Sequence, residues 1–446
     1  MASAAEQLAA NINLSAFAKA TELKNRIWFT LGALVIYRLG TYIPLPGIDP
    51  QILHEIVTRQ VGGILGMVDM FSGGALGRMT IFALNIMPYI SASIIVQLLT
   101  AVVPTLEALK KEGESGRKKL NQYTRYGTVF LAAVQAYGIA VGLEGAGQGG
   151  QSPVIDPGLF FRFTTLITLT GGTVFLMWLG EQITARGVGN GISLIIFSGI
   201  VARMPAALAQ LLELGRVGSV PFFLIGVFLV LAVGVIAFIV FMERAQRRIL
   251  VQYPKRQVGN KMFGGEASHL PLKLNTSGVI PPIFASSLLL LPATFAGFSA
   301  SQGGWIADIG GYVRHGAPLY ILLYVALIIF FCFFYTAIVF NPTETADNLR
   351  KYGGFVPGIR PGKNTADYLD YVLTRLTVIG ALYLAAVCVL PEILVSQYNV
   401  PFYFGGTSLL IVVSVTMDTV AQIHSHLLAH QYEGLIKKAK LRGRRG

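Results

Sequence analysis

Residues 319–340 read LYILLYVALIIFFCFFYTAIVF. No charge interrupts them. A run of this kind matches the ~20 apolar residues that carry an α-helix across the hydrocarbon core of a bilayer. In water it would have no polar face to turn outward. Residues 220–242, VPFFLIGVFLVLAVGVIAFIVFM, read the same way. Working outward from these two, the same criterion finds about ten runs: 27–44, 79–103, 127–143, 159–180, 189–212, 220–242, 277–298, 319–340, 372–395 and 401–427. Runs 79–103, 159–180 and 189–212 are richer in Gly, Ser, Thr and Ala. Such residues suit close helix packing or a polar cavity better than a lipid face. The expectation is an all-α polytopic membrane protein of about ten transmembrane helices.

Composition points the same way. Only 13% of the 446 residues are charged and 53% are hydrophobic, against ~25% charged in soluble domains. Mean hydropathy is +0.61. That balance excludes a disordered chain, a secreted disulfide scaffold and an ordinary cytosolic enzyme. Cys332 and Cys388 lie inside apolar runs and read as packing residues, with no metal motif around them. Residues 1–26 are largely polar, and the first apolar run has no A-x-A site behind it. It reads as a span rather than a cleaved signal peptide.

An even number of spans puts both termini on one side, and the basic residues choose the side. Of the 35 Lys and Arg residues, all but Arg38, Arg59, Arg78, Arg162, Arg203, Arg216 and Arg314 fall in six places. These are the N-terminal segment, loops 104–126, 181–188, 243–276 and 341–371 (with Arg375 just beyond), and the tail. Both termini are therefore expected in the cytoplasm. Topology explains most of the net charge of +13 without a polyanionic partner. Arg38 and Arg162, near the outer ends of their spans, read as snorkelling side chains.

Loops 243–276 and 341–371 are long for helix connections and carry turn punctuation such as Gly353-Gly354, Pro357-Gly358 and Pro361-Gly362. A docking surface and a plain topology signal both account for their basic tips. Residues 63–77, GGILGMVDMFSGGAL, are apolar but too short to cross. A re-entrant segment and a surface loop are both open readings here. Asn85, Pro88, Tyr89, Ser91, Ser93 and Gln97 mark the second run, and Pro281-Pro282 and Ser286-Ser287 the seventh. Such residues place these helices against an interior.

No catalytic constellation is legible. Gly358–Asn364 imitates a phosphate loop but is one residue short and ends in Asn364 where Ser or Thr would hold magnesium. His54-Glu55 lacks the second histidine of a zinc motif. His424, His426 and His430 have no converging acid or thiol. Acids are scarce within the runs, which weakens the alternative of a secondary transporter of small solutes. An intramembrane enzyme would need a constellation that is missing.

Several long stretches resemble the bacterial SecY channel family, the large subunit of the preprotein translocase. They are FSGGALGRMTIFALNIMPYISASIIVQLL (71–99), EGESGRKKLNQYTRYGT (112–128), FLMWLGEQIT (175–184) with GNGIS (189–193), VIPPIFASS (279–287), FFYTAIVFNPTETADNL (333–349), FVPGIRPG (355–362) and PFYFGGTSLLIVV (401–413). The resemblance implies two inverted five-helix halves around a central pore. The halves would be 27–212 and 213–427, flanked by an N-terminal segment 1–26 and a basic tail 428–446. It implies a protein-conducting channel in the bacterial plasma membrane, with no catalytic residue and no cofactor. Such a channel translocates unfolded preproteins with signal sequences and releases transmembrane segments laterally into lipid.

By motif position the resemblance assigns a pore ring to Ile86, Ile90, Ile192, Ile196, Ile283 and Ile411. A plug over 63–77 would include Gly63, Ile64, Met67, Met70, Phe71, Gly73 and Gly74. Ser91, Gln97 and Asn275 fall at a lateral gate. Lys255, Arg256, Lys261, Arg360 and Lys363 fall in loops that dock the motor or the ribosome. The implied partners are the membrane subunits SecE and SecG, the ATPase SecA, the ribosome and membrane lipid. Energy would come from the ATPase, from translation and from the membrane potential.

Overall fold

The computed structural model describes residues 21–53, 69, 72–145, 152–218, 221–254, 256–258, 261–263, 267–299, 318–398 and 406–442. The helices are α1 (Thr21–Gly40), α2 (Met87–Val102), α3 (Pro104–Lys111), α4 (Glu114–Gly145), α5 (Leu159–Arg186), α6 (Gly191–Arg216) and α7 (Phe222–Arg244). After strands β1 (Gln246–Gln252), β2 (Arg256–Val258), β3 (Lys261–Phe263) and β4 (Ala267–Lys273) come α8 (Ile280–Ser299), α9 (Pro318–Val339), α10 (Pro342–Lys351), α11 (Lys363–Tyr398) and α12 (Gly406–Arg442).

Each of the ten apolar runs coincides with one of these helices. Among the described residues seven helices are long and apolar enough to cross a membrane, or eight when the bent pair α2 and α3 counts as one. The other two are α1, which carries Glu22, Lys24, Arg26 and Arg38, and α8, with its shorter apolar stretch Ile280–Leu289.

Sequence chemistry sets several boundaries. The 79–103 run becomes helical only at Met87, because Met79 and Asn85 hold positive φ (43° and 50°) and the chain reaches α2 through turns. Between α2 and α3 the axis bends by 99°. Pro104 causes the bend: its ring disfavours a helical residue before it, and Val103 is extended at φ −96°, ψ 114°.

The chain divides into two compact units. One holds Met1–Pro205, Gly297–Gly303 and Val415–Gly446; the other holds Ala206–Ala296 and Gly304–Ser414. In the first, α4 packs on α2 and α5 through small buried residues, including Gly116, Thr124, Thr128, Ala132, Ala136 and Ala140. Small side chains let helix backbones approach closely, which matters where lipid competes for every apolar contact. The α4–α5 hairpin is closed by Glu144. It accepts from Gly158 N–H (3.1 Å) and from Arg162 Nε (2.8 Å) and Nη2 (2.6 Å). Arg162 is therefore paired with a carboxylate at the hairpin's end. The α5–α6 turn is fixed by Val188 N–H on Thr30 Oγ1 (3.0 Å), Gly189 N–H on Gln422 Oε1 (2.8 Å) and Gly191 N–H on Thr184 Oγ1 (2.9 Å).

The second unit packs α9 on α11 along Tyr320, Tyr324, Ile328, Phe331 and Thr336. It also contains what an all-α reading leaves out. Loop 243–276 is a β-ribbon, with β1 antiparallel to β4 from Gln246↔Lys273 to Gln252↔Ala267 and β2 antiparallel to β3. Loop 341–371 begins with a short helix capped by Asn341, whose Oδ1 accepts from Thr343 N–H (3.1 Å) and Glu344 N–H (3.4 Å).

Candidate functional site

The candidate residues fall into four sets. The first surrounds the end of the 63–77 stretch. Of its named residues, Gly63, Ile64, Met67, Met70 and Phe71 lie outside the described residues; Gly73 and Gly74 lie within them. Both glycines have positive φ, 65° and 87°, a region that costs other residues ~1–2 kcal/mol. Asp69 organises the turn they make. Its backbone carbonyl accepts from Gly74 N–H (2.9 Å) and Ser72 Oγ (3.0 Å), and its Oδ1 accepts from Gly77 N–H (2.6 Å). Its Oδ2 pairs with Arg203 Nη2 of α6.

The turn is gripped from α1 as well. Tyr37 OH donates to Ser72 O (3.3 Å) and Arg38 Nη1 to Gly73 O (3.0 Å). Arg78 Nη2 shares that carbonyl at 3.3 Å. The guanidinium carbons of Arg38 and Arg78 lie 5.2 and 4.3 Å from the centroid of the Tyr42 ring. Arg38 is thus a ligand of the turn. Nothing in the sequence marked Asp69, Tyr37, Arg78 or Arg203 as parts of this site. The available signal was that Arg38, Arg78 and Arg203 all stand outside the main basic clusters.

The second set is aliphatic and is drawn from both units. Ile86 and Ile90 sit one turn apart at the start of α2, both buried, with Ile90 N–H on Ile86 O (3.1 Å). Ile192 and Ile196 repeat that spacing at the start of α6. Ile192 lies over Gly180 of α5, where an added Cβ would stand 3.1 Å from its Cγ1. In the second unit Ile411 is buried in the first turns of α12 and Ile283 is half-buried in α8.

The third group is polar. Ser91 is buried on α2. Gln97 Nε2 donates to Ser93 Oγ (3.3 Å), while its Oε1 is buried with no hydrogen-bond partner among the described residues. Such an acceptor costs ~1–3 kcal/mol. Asn275 is tied down more firmly. Its Nδ2 donates to Glu243 Oε1 (2.6 Å) and Gly278 O (3.0 Å), and its Oδ1 accepts from Ser277 Oγ (3.0 Å).

The fourth cluster joins the two long loops. Gln252 and Phe355 exchange both main-chain hydrogen bonds at 2.9 Å. Ile249, Leu272, Val356, Leu369, Val372 and Leu376 form one buried core beneath the ribbon, the 341–362 loop and the start of α11. Arg360 and Lys363 stand exposed on this base. The Arg360 carbonyl accepts from Thr365 Oγ1 (2.9 Å), and positive-φ Gly358 and Gly362 flank the tip. Lys255 lies outside the described residues; Arg256 opens β2 and Lys261 opens β3. No group of three or more metal-ligating side chains occurs among the described residues.

The SecY family model matches residues 80–420. The chain is 58% identical over 422 residues to the protein translocase subunit SecY of Rickettsia conorii, covering 94% of this chain and 97% of that one. It is 57% identical over 424 residues to the same subunit of Escherichia coli K12, covering 95% and 96%. Among solved structures it resembles a protein-conducting channel (TM-score 0.67, 17% identity, 91% of this chain and 92% of that one). It also resembles a SecY structure concerned with the plug domain and the closed state (0.64, 20%, 91% and 92%) and Sec61 of the canine ribosome–channel complex (0.62, 17%, 91% and 92%). The structural likenesses speak to the fold, which they share along nearly the whole chain. The sequence matches go further: identity is 57–58% over nearly the whole of both chains, and on that ground, with the family model matched over residues 80–420, the chain belongs to the SecY family.

Proposed function

We propose that this chain is the channel-forming subunit of a bacterial protein translocase. It passes unfolded preproteins across the plasma membrane and releases transmembrane segments sideways into lipid. The observation that carries this reading is identity of 57–58% to translocase SecY subunits over nearly the whole of both chains.

The clusters have the chemistry such a channel needs. A conduit for any unfolded sequence cannot select by polar coordination. Ile86, Ile90, Ile192, Ile196, Ile283 and Ile411 supply branched aliphatic surface that stays dry when closed and deforms around any side chain. The 63–77 stretch is the plug. Ser91, Gln97 and Asn275 belong to the lateral gate, and the unmade acceptor of Gln97 would be satisfied when water or a passing backbone reaches it. The basic residues Lys255, Arg256, Lys261, Arg360 and Lys363 form the docking surface for SecA and the ribosome. SecE and SecG are the membrane partners, both termini are cytoplasmic, and spans one to five and six to ten form the two halves. Energy comes from SecA, from translation and from the membrane potential.

The test is translocation in proteoliposomes. The chain, co-purified with its membrane partners, is given an unfolded signal-bearing protein, SecA and ATP. Substrate protected from external protease is the expected result. No protection, with partners and motor demonstrably bound, would overturn the reading.

A further inference from the structure

The geometry points to Arg203 and Asp69 as an ionic latch that sets how readily the plug leaves its closed position. Three independent features converge on it. The first is the pair itself. Asp69 and Arg203 are 134 positions apart, and their side chains are only 11% and 27% exposed. Two charges held that far from water act strongly on each other. The carboxylate is further fixed by Gly77 N–H at 2.6 Å, so it is aimed as well as paired.

The second feature is the space left for the guanidinium. A Cβ on Gly74 would stand 2.6 Å from Arg203 Nη2 and 3.2 Å from Cζ. A Cβ on Gly73 would stand 3.0 Å from Gly199 Cα and 2.9 Å from Arg38 Nη1. The glycine pair is thus demanded by its positive φ and by the close approach of α6. The third feature is the Gly73 carbonyl, which collects donors from both Arg38 and Arg78. All three act on the same short turn. Arg203 reaches it from α6, which bears Ile192 and Ile196.

The consequence is mechanical. An apolar seat alone would hold the turn with many small, diffuse contacts. A charge pair holds it with one contact that is lost almost completely over a few ångströms once water enters. Arg203 is therefore a positioning residue for gating. It keeps the turn seated at rest, and separation of the pair commits the turn to leave. The inference rests on the reading of 63–77 as the plug, and the experiment separates the two.

The probe is ion leak through the resting channel, purified with its membrane partners and reconstituted without substrate. The variants are Asp69→Asn, Arg203→Gln, the two combined, Arg203→Lys, and a deletion of 63–68. Asp69→Asn keeps an oxygen for Gly77 N–H, removes the charge and puts an NH2 donor where Oδ2 accepted from Arg203. Each neutral variant should raise resting leak about tenfold, the double no more than either single, since coupled sites are not additive. Arg203→Lys should stay close to wild type, a rescue that a merely space-filling role would not predict. Co-purification and melting temperature identify any variant that fails to fold. The deletion should leak as well. Leak from the deletion but not from the neutral variants, or additive leak in the double, would overturn the latch and leave the plug reading standing. No leak from any of them would overturn both.

Discussion

The turn at Asp69–Arg78 and the ribbon at Gln246–Lys273 are both irregular segments between spans, and they are held in opposite ways. The turn has a handful of polar contacts: one ion pair, two arginines on one carbonyl, and a tyrosine hydroxyl. The ribbon has a ladder of main-chain pairs, a second pairing to Phe355, and a continuous apolar core beneath it. Polar contacts are few, directional and replaceable by water. An apolar core is diffuse and fails only when much of it is exposed. The first arrangement lets a segment give way as a few contacts are replaced by water; the second keeps a segment's shape.

The largest effect should come from attacking the ribbon's core. Leu369 has no exposed surface, and Leu369→Ala should cost ~2–5 kcal/mol. Limited proteolysis of the purified complex should show new cleavage in 246–273, and motor-driven export should fall with it. Unchanged cleavage would mean that the main-chain ladder alone holds the ribbon, and the contrast with the turn would shrink.

The next effect tests the turn from its backbone. Gly74→Ala forces a side chain into φ 87° and against Arg203, which should cost ~1–2 kcal/mol in the closed state. The loss should appear as resting ion leak, with little change in global melting temperature. A large drop in melting temperature with no leak would show that the turn is part of the rigid frame.

How much of this contrast was legible in the sequence follows from the range of each interaction. The ten helices were readable because length and apolarity are local properties. The ribbon was not. In QRRILVQ only Ile249, Leu250 and Val251 are apolar, so β1 reads as one more basic connector, and its partner strand lies some twenty residues on. Asn275, assigned to the lateral gate by motif, proved to be a hub of hydrogen bonds beside Glu243, a partner 32 positions away. The ion pair of the turn was hidden more deeply, since nothing local links Asp69 to Arg203. What could be read was that a few arginines stood apart from the basic clusters. Of these, Arg38, Arg78, Arg162 and Arg203 each prove to hold a specific carbonyl or carboxylate.

A smaller effect on stability is expected at the tip of the rigid region. Arg360 is exposed and its side chain lies on the surface of the core rather than in it. Arg360→Glu should change stability by less than ~0.5 kcal/mol while reducing SecA-driven export about tenfold, because rim charges govern encounter more than folding. Normal export would remove Arg360 from the docking surface. Lost stability would show that the ribbon region depends on this charge after all.

The smallest effect should come from an ion pair of the other kind. On α3, Lys111 Nζ lies 2.7 Å from Glu107 Oε1, one helical turn apart, with both side chains more than half exposed. The hydrogen bond from Lys111, and then its charge, hold the Glu107 carboxyl below the usual carboxylate value. A depressed carboxylate contributes stability above its unfolded pKa and loses it as pH falls through the folded one. The sign is therefore a loss on acidification. Water and salt screen so exposed a pair, so Glu107→Gln should leave melting temperature and resting leak unchanged at neutral pH in physiological salt. Set beside Asp69→Asn, which also neutralises one carboxylate of a charge pair, it contrasts an exposed local pair with a largely buried long-range one. Equal leak from the two would mean that net charge rather than a seated contact sets the closed state. Leak from Asp69→Asn alone would fix the effect on a pair largely withdrawn from water and gripped by a main-chain N–H.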